Sequence, residues 1–313
     1  MAFPKTTQAF NAAINTLQIG TGDKAITIGG ENVYQLYSFD APIENSPKVG
    51  IQISDLGTEN EPECLKSIYS DCATVADIAK KAAAVDGVDF LCLSFDGADP
   101  NGQDKPVEEC AEIAKSVADA VDLPLVIMGS SSSTKDASLF EKVSDALQGK
   151  NILVLSAKEE NYKTVGAAAG LAYGQKVGAE SSVDINLAKQ LNVLLTQLGV
   201  DGKTIAMNLG TAAAGYGFEY VASTIERVKA AALAQNDTSL QMPVILPVAN
   251  DAWGVKEAMA SEEDFPEWGS VEDRGINMEI TTATAVLAAG ADAVIVKHPV
   301  SVATVSGLIK ELM

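Results

Sequence analysis

Short apolar runs rich in β-branched residues alternate along the chain with longer segments of helical periodicity. This alternation is typical of repeated βα units, in which consecutive parallel strands are joined by helices. The fifth run is the weakest, because Gly178 interrupts it and a loop would suit the same residues. The eight predicted strands are residues 48–53, 88–94, 123–128, 151–155, 176–180, 203–208, 243–247 and 292–297.

Two of the intervening helices have ends that can be read from the sequence. Apolar residues at helical spacing run from residue 64 to 85, and Gly87 follows where a left-handed C-terminal glycine is expected. Asp184 precedes a broad apolar helical face over residues 185–198, and Gly199 ends it. We therefore predict one helix over each of these two segments.

Eight βα units in a chain of 313 residues predict an α/β fold of the (β/α)8 TIM-barrel class. A doubly wound open sheet is the alternative, but its first βα turn would carry G-x-G-x-x-G, and residues 54–58 do not. Residues 1–47 are predicted to form an N-terminal extension, and residues 48–313 the barrel. In the extension, residues 25–28 and 33–37 flank Gly29-Gly30 and predict a β-hairpin, of the kind that plugs the bottom of a barrel.

The charge balance excludes several classes of partner. The chain has 22 Lys and Arg against 42 Asp and Glu, a net charge of −20, so nucleic acid and anionic lipid would be repelled. No apolar run approaches the roughly 20 residues of a membrane span. The first eight residues lack the basic start and apolar segment of a secretory signal, so we expect a cytoplasmic protein with no membrane partner.

The residues available for metal binding and nucleophilic catalysis are few. No two of the four cysteines, Cys64, Cys72, Cys92 and Cys110, have the C-x2-C spacing of zinc or iron–sulfur sites. His298 is the single histidine, which excludes a histidine-cluster metal site. We therefore expect reduced, mostly structural thiols and no metal site in this chain.

In a TIM barrel the functional groups lie where strands end at the C-terminal face. Most side chains predicted there are hydrogen-bonding groups rather than nucleophiles with bases, so this rim is predicted to hold a ligand. The candidate ligand-binding residues are Asp55, Asp96, Asp99, Ser130, Asn208, Thr211, Tyr216, Asn250, Lys297 and His298.

Each candidate also has a purely structural interpretation. Asp96 and Asp99 either contact a ligand or metal or simply form a turn beside Gly97. Residues 130–133 either hold an anion at a helix N-terminus or cap that helix through Ser133 or Thr134.

The loop over residues 210–220 and the last strand end leave similar alternatives. Small residues in the loop allow close approach of a flat ligand or another protein, although the same residues suit a plain strand-to-helix connection. Lys297 is either a Schiff-base lysine or the partner of a rim aspartate. His298 is either an acid or base or the cap of the following helix.

Several segments together resemble one family. The chain is similar, from about residue 43 to residue 298, to the small (delta) subunit of the corrinoid/iron–sulfur protein of the acetyl-CoA decarbonylase/synthase system. The segments that carry the resemblance are IENSPKVGIQISD, FDGADPNG, EENYK, SSVDINLAKQLN, GYGFEY, IERVK, MPVILPVANDAW and WGSVEDRGINMEITTATAVLAAGADAVIVKHPVSV.

The resemblance implies a TIM-barrel subunit that forms a heterodimer with a larger subunit. In that family the large subunit carries a four-iron, four-sulfur cluster and a cobalamin-binding domain, and the corrinoid lies between that domain and the top of the small subunit's barrel. The complex accepts a methyl group from methyltetrahydrofolate or a related pterin through a methyltransferase and passes it to acetyl-CoA synthase/carbon monoxide dehydrogenase. This chain is then expected to share the cobalamin and to hold no cluster, since it lacks a D-x-H-x-x-G cobalamin signature and a cysteine cluster.

Three functions remain open on the sequence. The first is a non-catalytic or assisting subunit of this methyl carrier in the reductive acetyl-CoA (Wood–Ljungdahl) pathway. The second is an independent pterin-dependent methyltransferase in which Asp96, Asn208 and Asn250 hold the pterin. The third is a Schiff-base lyase centred on Lys297.

Overall fold

The computed structural model describes residues 6–313, and their backbone forms a barrel with helices around it. The strands of the described chain are β1 (Leu17–Ile19), β2 (Ile26–Ile28), β3 (Lys48–Ser54), β4 (Phe90–Ser94), β5 (Leu125–Met128), β6 (Leu153–Ala157), β7 (Lys176–Glu180), β8 (Ile205–Asn208), β9 (Ile245–Pro247) and β10 (Ala293–Val296). The α-helices are α1 (Glu63–Ile68), α2 (Val75–Ala83), α3 (Val107–Ala120), α4 (Ser133–Ala146), α5 (Tyr162–Val165), α6 (Ile185–Leu198), α7 (Phe218–Ala234), α8 (Ala249–Gly254), α9 (Lys256–Met259), α10 (Val271–Ala289) and α11 (Pro299–Leu312). Across residues 6–313, none of these helices has the length and apolar character needed to span a membrane.

The eight predicted strands form one parallel sheet, which confirms the TIM-barrel prediction. Strands β3 to β8 pair in sequence order, and β3 also pairs with β10, which pairs with β9. A single bridge between Met207 and Val244 joins β8 to β9 and closes the ring. The weakest prediction, residues 176–180, is strand β7 with the same bounds.

The predicted single helix over residues 64–85 is wrong, because the structure has α1 and α2 with a break between them. Thr74 lies in extended conformation and accepts a hydrogen bond from the Asp77 backbone, while the Asp77 side chain bonds back to the Thr74 backbone. This capping box starts a new helix inside the apolar pattern. Gly87 then takes a φ of +84°, as predicted.

The predicted hairpin is present, but only its strand at residues 25–28 is correct, and the strand predicted at residues 33–37 is wrong. Strand β2 pairs antiparallel with β1, not with residues 33–37, which are not a strand. Both strands alternate their burial, and Gly20 and Gly22 adopt positive φ in the turn between them. Gly29 and Gly30, also at positive φ, carry the chain away from the hairpin after β2 rather than forming its turn.

The hairpin closes the N-terminal end of the barrel. Leu17, Ile19, Ile26 and Ile28 belong to one buried cluster with side chains from inside the barrel, among them Phe90, Cys92, Val126, Leu153, Leu155, Ala293 and Ile295. Apolar packing therefore fills the lower part of the barrel. Polar side chains remain at the opposite end.

A buried charge cluster joins the N-terminal extension to the barrel. Lys229 on α7 lies 2.7 Å from carboxylate oxygens of both Glu31 and Asp292, and all three side chains are fully buried. Burial, together with the neighbouring Asp292, raises the pKa of Glu31.

Gly50 provides the space for the largest side chain of the barrel interior. A Cβ atom at this position would lie 2.2 Å from Cε2 of Phe90, which is fully buried. Because a fully buried ring has little room to move, we expect Gly50→Ala to lower the free energy of unfolding by about 1–3 kcal/mol. Gly307→Ala is the matched control. Gly307 lies within α11, and an added Cβ there meets nothing within 4 Å.

The control is expected to raise stability by about 0.5–1 kcal/mol, because glycine weakens a helix interior. Urea denaturation of both variants measures the two changes. Equal stability of Gly50→Ala and wild type would contradict this account of the interior.

Candidate functional site

The C-terminal ends of the barrel strands surround an open cavity of about 530 Å³, which we call the mouth. Its lining combines hydroxyl, amide and carboxylate groups with a few apolar side chains. The lining residues are Ser94, Asp96, Asp99, Met128, Gly129, Ser130, Ser131, Asp136, Leu155, Ser156, Lys158, Glu180, Ser182, Val183, Asn208, Gly210, Thr211, Pro247, Asn250 and Asp251.

Six of the ten candidate residues from the sequence line the mouth together, and four do not. The six are Asp96, Asp99, Ser130, Asn208, Thr211 and Asn250. The four outside the mouth lining are Asp55, Tyr216, Lys297 and His298.

Asp96 is fixed at the mouth by two serines from neighbouring strands. Ser54 Oγ donates to Asp96 Oδ2 at 2.7 Å, and Ser94 Oγ donates to Oδ1 at 2.6 Å. Asp99 instead accepts from the backbone N–H of Asn101 at 2.9 Å, which is the hydrogen bond of a local turn. Asp96 is thus held in place at the mouth, where it can contact a ligand. The contacts of Asp99 fit the turn interpretation.

The loop of residues 130–132 after β5, which we call the serine loop, is organised around Asp136. The Asp136 carboxylate lies beneath Gly129 and accepts from the backbone N–H of Ser130 at 2.6 Å and from its hydroxyl at 2.9 Å. Helix α4 is capped by Ser132, so the prediction of Ser133 or Thr134 as cap was wrong by one or two residues. A carboxylate already takes the donors of Ser130, which disfavours an anion there.

Amides and hydroxyls on the remaining strand ends hold one another in place. Asn208 Nδ2 donates to Ser156 Oγ at 3.1 Å, and Gln52 Nε2 donates to Asn250 Oδ1 at 3.1 Å. Thr211 donates its hydroxyl to Asp251, whose pKa burial raises. Gln52 Oε1 is buried without a hydrogen-bond partner in the described chain. These groups are preorganised for a ligand with polar edges.

Two loops approach each other closely at one side of the mouth. Ser182 and Val183 follow β7 with φ of 46° and 67°, a backbone conformation that is strained for a β-branched residue. Val183 N donates to Leu209 O at 2.7 Å. A Cβ at Gly210 would lie 3.2 Å from Ser182 Cα, so glycine permits this approach.

The four remaining candidates have partners outside the mouth. Asp55 pairs with Lys105 at 2.8 Å and accepts a hydrogen bond from the Gly97 backbone N–H. Its side chain therefore stabilises the loop after β4. Lys297 pairs with Glu61 at 3.0 Å rather than with an aspartate. Tyr216 is exposed and bonds to Glu257.

His298 caps helix α11, as the structural interpretation proposed. Its Nδ1 accepts from Val300 N at 3.2 Å, its ring stacks on Trp253, and 1% of the residue is exposed. Burial lowers the pKa of His298. The ring is therefore neutral at pH 7 and out of reach of a ligand in the mouth.

Sequence reasoning missed several lining residues. Ser94 and Glu180 are the last residues of predicted strands, so their position alone could have identified them. Asp136 lies inside helix α4, and no spacing rule connects it to Ser130. Only the three-dimensional turn of the serine loop brings the two together.

The mouth is acidic. Asp96, Asp99, Asp136, Glu180 and Asp251 line it with Lys158, which forms an ion pair with Glu180 at 3.3 Å. Residues 6–313 contain no cluster of three or more His, Cys, Asp or Glu placed to hold a metal ion. The mouth therefore favours neutral or cationic polar groups over anions.

Comparison with protein families identifies the chain. The model of the CO dehydrogenase/acetyl-CoA synthase delta subunit matches residues 16–302. The chain belongs to this delta-subunit family. It is 33% identical over 303 residues to the acetyl-CoA decarbonylase/synthase complex subunit delta of Archaeoglobus fulgidus, a match that covers 94% of this chain and 65% of that protein. The corresponding subunit of Methanocaldococcus jannaschii is 32% identical over 295 residues, with 94% of this chain and 71% of that protein covered.

Solved structures with the same fold include dihydropteroate synthases. The Xanthomonas albilineans enzyme with 4-aminobenzoic acid has a TM-score of 0.58 and 13% identity, with 95% of the delta-family chain and 98% of the enzyme covered. The Coxiella burnetii enzyme in complex with pteroic acid has a TM-score of 0.54 and 12% identity, with 90% and 97% covered. At these identities the likeness establishes the barrel fold alone.

Asp136 gives the mouth a pH-dependent contribution to stability. Burial raises its pKa to about 6, so the folded protein binds this proton more tightly than the unfolded chain does. The contribution of Asp136 is therefore most favourable below about pH 4 and is lost as the pH rises through about 6. We expect Asp136→Asn to abolish this loss, which amounts to roughly 2–3 kcal/mol between pH 4 and pH 7.

Denaturant titrations of the wild type and the variant at both pH values measure the difference. Asp145→Asn, at an exposed position of the same helix, is the control and should follow the wild type. Parallel pH profiles for Asp136→Asn and wild type would refute the assignment.

Proposed function

We propose that this delta-family chain is the small subunit of a corrinoid/iron–sulfur methyl carrier and that its mouth covers one face of the corrinoid held by a larger subunit. When bound, the corrinoid supplies a cobalt that carries the methyl group. The chain itself positions the corrinoid and shields it from water. In this role it acts between a methyltetrahydropterin methyltransferase and acetyl-CoA synthase/carbon monoxide dehydrogenase, as part of the acetyl-CoA pathway.

The observation that carries this proposal is a preorganised, polar mouth without an anchoring group. The single histidine is buried in a helix cap, so it is out of reach for a metal at the mouth. The cavity of about 530 Å³ is open, which suits contact with one face of a macrocycle rather than enclosure of it. The larger part of the binding site must then come from a partner.

The donor set of the mouth fits the edge of a corrinoid. Such an edge carries amide side chains, which can donate to the carboxylate of Asp96 and exchange hydrogen bonds with the amides of Asn208 and Asn250. Two serine hydroxyls keep Asp96 in position, and Gln52 holds Asn250. Apolar atoms of Val183 lie in the same lining and would limit access of water.

Visible spectra test the partnership. The chain is purified alone and after co-expression with the large subunit, under anaerobic conditions. We expect corrinoid and cluster absorption only in the co-expressed complex, because the chain alone anchors neither group. Full absorption from the lone chain would contradict the proposal.

A bulky side chain at the rim tests whether the mouth faces the corrinoid. Ser131 is exposed at the mouth, and no side-chain hydrogen bond from it is present in the described structure. We expect Ser131→Trp to weaken retention of corrinoid by the complex roughly tenfold, which corresponds to about 1.4 kcal/mol, because the indole prevents close approach. Ser138→Trp, at an exposed position of α4 outside the mouth lining, is the matched control and should retain wild-type corrinoid content.

Equilibrium dialysis of the two complexes measures the ratio. Equal retention by both variants, with both proteins folded by circular dichroism, would show that the mouth does not face the corrinoid.

A pterin-dependent methyltransferase is the second candidate. Asp96, Asn208 and Asn250, which the sequence assigned to a pterin, do line one cavity. A pterin edge presents adjacent N–H donors that a carboxylate such as Asp96 can accept. The Coxiella relative in fold is described in complex with pteroic acid, which agrees with a barrel of this class accepting such a ring.

Turnover by the isolated chain distinguishes the two candidates. The second candidate requires methyl transfer from methyltetrahydrofolate to free cobalamin by the chain alone, with loss of activity in Asp96→Asn. The first candidate predicts no turnover by the chain alone, because transfer then requires both the large subunit and a separate methyltransferase. Asp99→Asn, whose side chain serves a local turn, is the control for Asp96→Asn.

A further inference from the structure

A shallow, mostly apolar groove of about 460 Å³ lies beside the mouth. The loop after β8 separates the two, with Thr211 in the mouth lining and Ala214 in the groove. The other wall comes from the segment between β9 and α10 and from α10 itself. The groove residues are Ala214, Glu257, Trp268, Arg274, Asn277, Met278 and Thr281.

Trp268 is exposed and yet held in place. Its ring stacks on Phe265 with centroids 4.2 Å apart, and the Arg274 guanidinium carbon lies 5.9 Å from its centroid. Arg274 is itself fixed by the backbone carbonyl of Ala260 at 2.5 Å. Nevertheless 37% of Trp268 is exposed, and Tyr216 next to the groove is 49% exposed. Ordered, exposed aromatic side chains are the residues that most often anchor protein partners.

The chain around the groove carries charge of one sign. Residues 257–273 contain no Lys or Arg, and their acids are Glu257, Glu262, Glu263, Asp264, Glu267, Glu272 and Asp273. The cations at either end are engaged locally, since Lys256 Nζ lies 4.6 Å from the Phe265 centroid and Arg274 lies against Trp268. The segment that supplies Glu257 and Trp268 to the groove is therefore acidic, and we call it the acidic border.

We infer that this groove is a docking surface for a partner protein that presents an apolar side chain flanked by lysine or arginine residues. The apolar side chain would contact Trp268 and Met278, and the cations would face Glu263, Asp264 and Glu267, which are exposed. A second copy of this chain would bring another acidic border against the first, so the charges oppose self-association. Docking here places a partner next to the mouth, on the same loop.

A defined peptide tests the surface without any assumption about the corrinoid. The probe is a capped hexapeptide of two central leucines flanked on each side by a lysine and an arginine, titrated into the full chain. Trp268 is the reporter because the other tryptophan, Trp253, is buried. We expect a change in tryptophan fluorescence that saturates, weakens with salt, and is absent for a peptide with serines in place of the leucines.

Charge reversal provides the matched comparison. The triple variant Glu263→Lys, Asp264→Lys and Glu267→Lys is expected to bind the peptide about tenfold more weakly or worse. The control triple Glu108→Lys, Glu109→Lys and Glu112→Lys changes net charge equally at exposed positions of α3 and should bind within about twofold of the wild type.

Three outcomes would overturn the inference. They are equal weakening by the two triple variants, binding of the serine peptide as tightly as the leucine peptide, and self-association of the chain that the first triple variant abolishes. None of these bears on corrinoid retention, so failure of the docking surface and failure of the proposed function remain distinguishable.

Discussion

The barrel interior is apolar at its N-terminal end and polar at its C-terminal end, and this asymmetry determines what the C-terminal end can bind. Phe90 fills the space beside Gly50, and the hairpin of β1 and β2 closes the N-terminal opening. Apolar side chains therefore take up the lower layers. The upper layer consists of polar groups that must find partners among themselves or in a ligand, because a buried polar group without a hydrogen bond is costly.

The mouth meets this requirement almost entirely with internal hydrogen bonds. Asp96, Asp136 and Asp251 each accept from a serine or threonine hydroxyl on the mouth, and Lys158 pairs with Glu180. The result is a set of acceptors and amides that hold one another in place. Such a surface agrees with the proposed role of orienting and shielding a ligand whose chemistry lies elsewhere. The apolar groove beside it, if a partner docks there as we infer, is a second place where protein contact positions the mouth.

The sequence was sufficient for the barrel because the alternation of apolar runs and helical segments reflects a sheet buried on both faces. It was insufficient where one pattern has two solutions. Residues 33–37 alternate like a strand, but the glycines before them turn the chain away, and Leu17 to Ile19 pair with β2 instead. The apolar stripe over residues 64–85 likewise hides the cap at Thr74.

The site was predictable to the level of strand ends and no further. Asn208 and Asn250 follow strands and do reach the mouth, whereas Asp55 and Lys297 also follow strands but turn to Lys105 and Glu61. The direction in which a side chain points at a strand end depends on charged side chains from loops that are distant in sequence. Local sequence does not contain that information. Asp136 shows the converse, since a helical residue becomes part of the mouth through the turn of its loop.

Hydrogen–deuterium exchange on the assembled, corrinoid-loaded complex tests the central claim that the mouth covers one face of a corrinoid held by the larger subunit. Exchange in residues 128–132 and 208–217 should slow when the corrinoid-bearing subunit is present, while residues 17–28 at the opposite end keep the rate of the free chain. Unchanged exchange at the mouth, or protection confined to residues 17–28, would show that the partner binds elsewhere and that the barrel covers no cofactor.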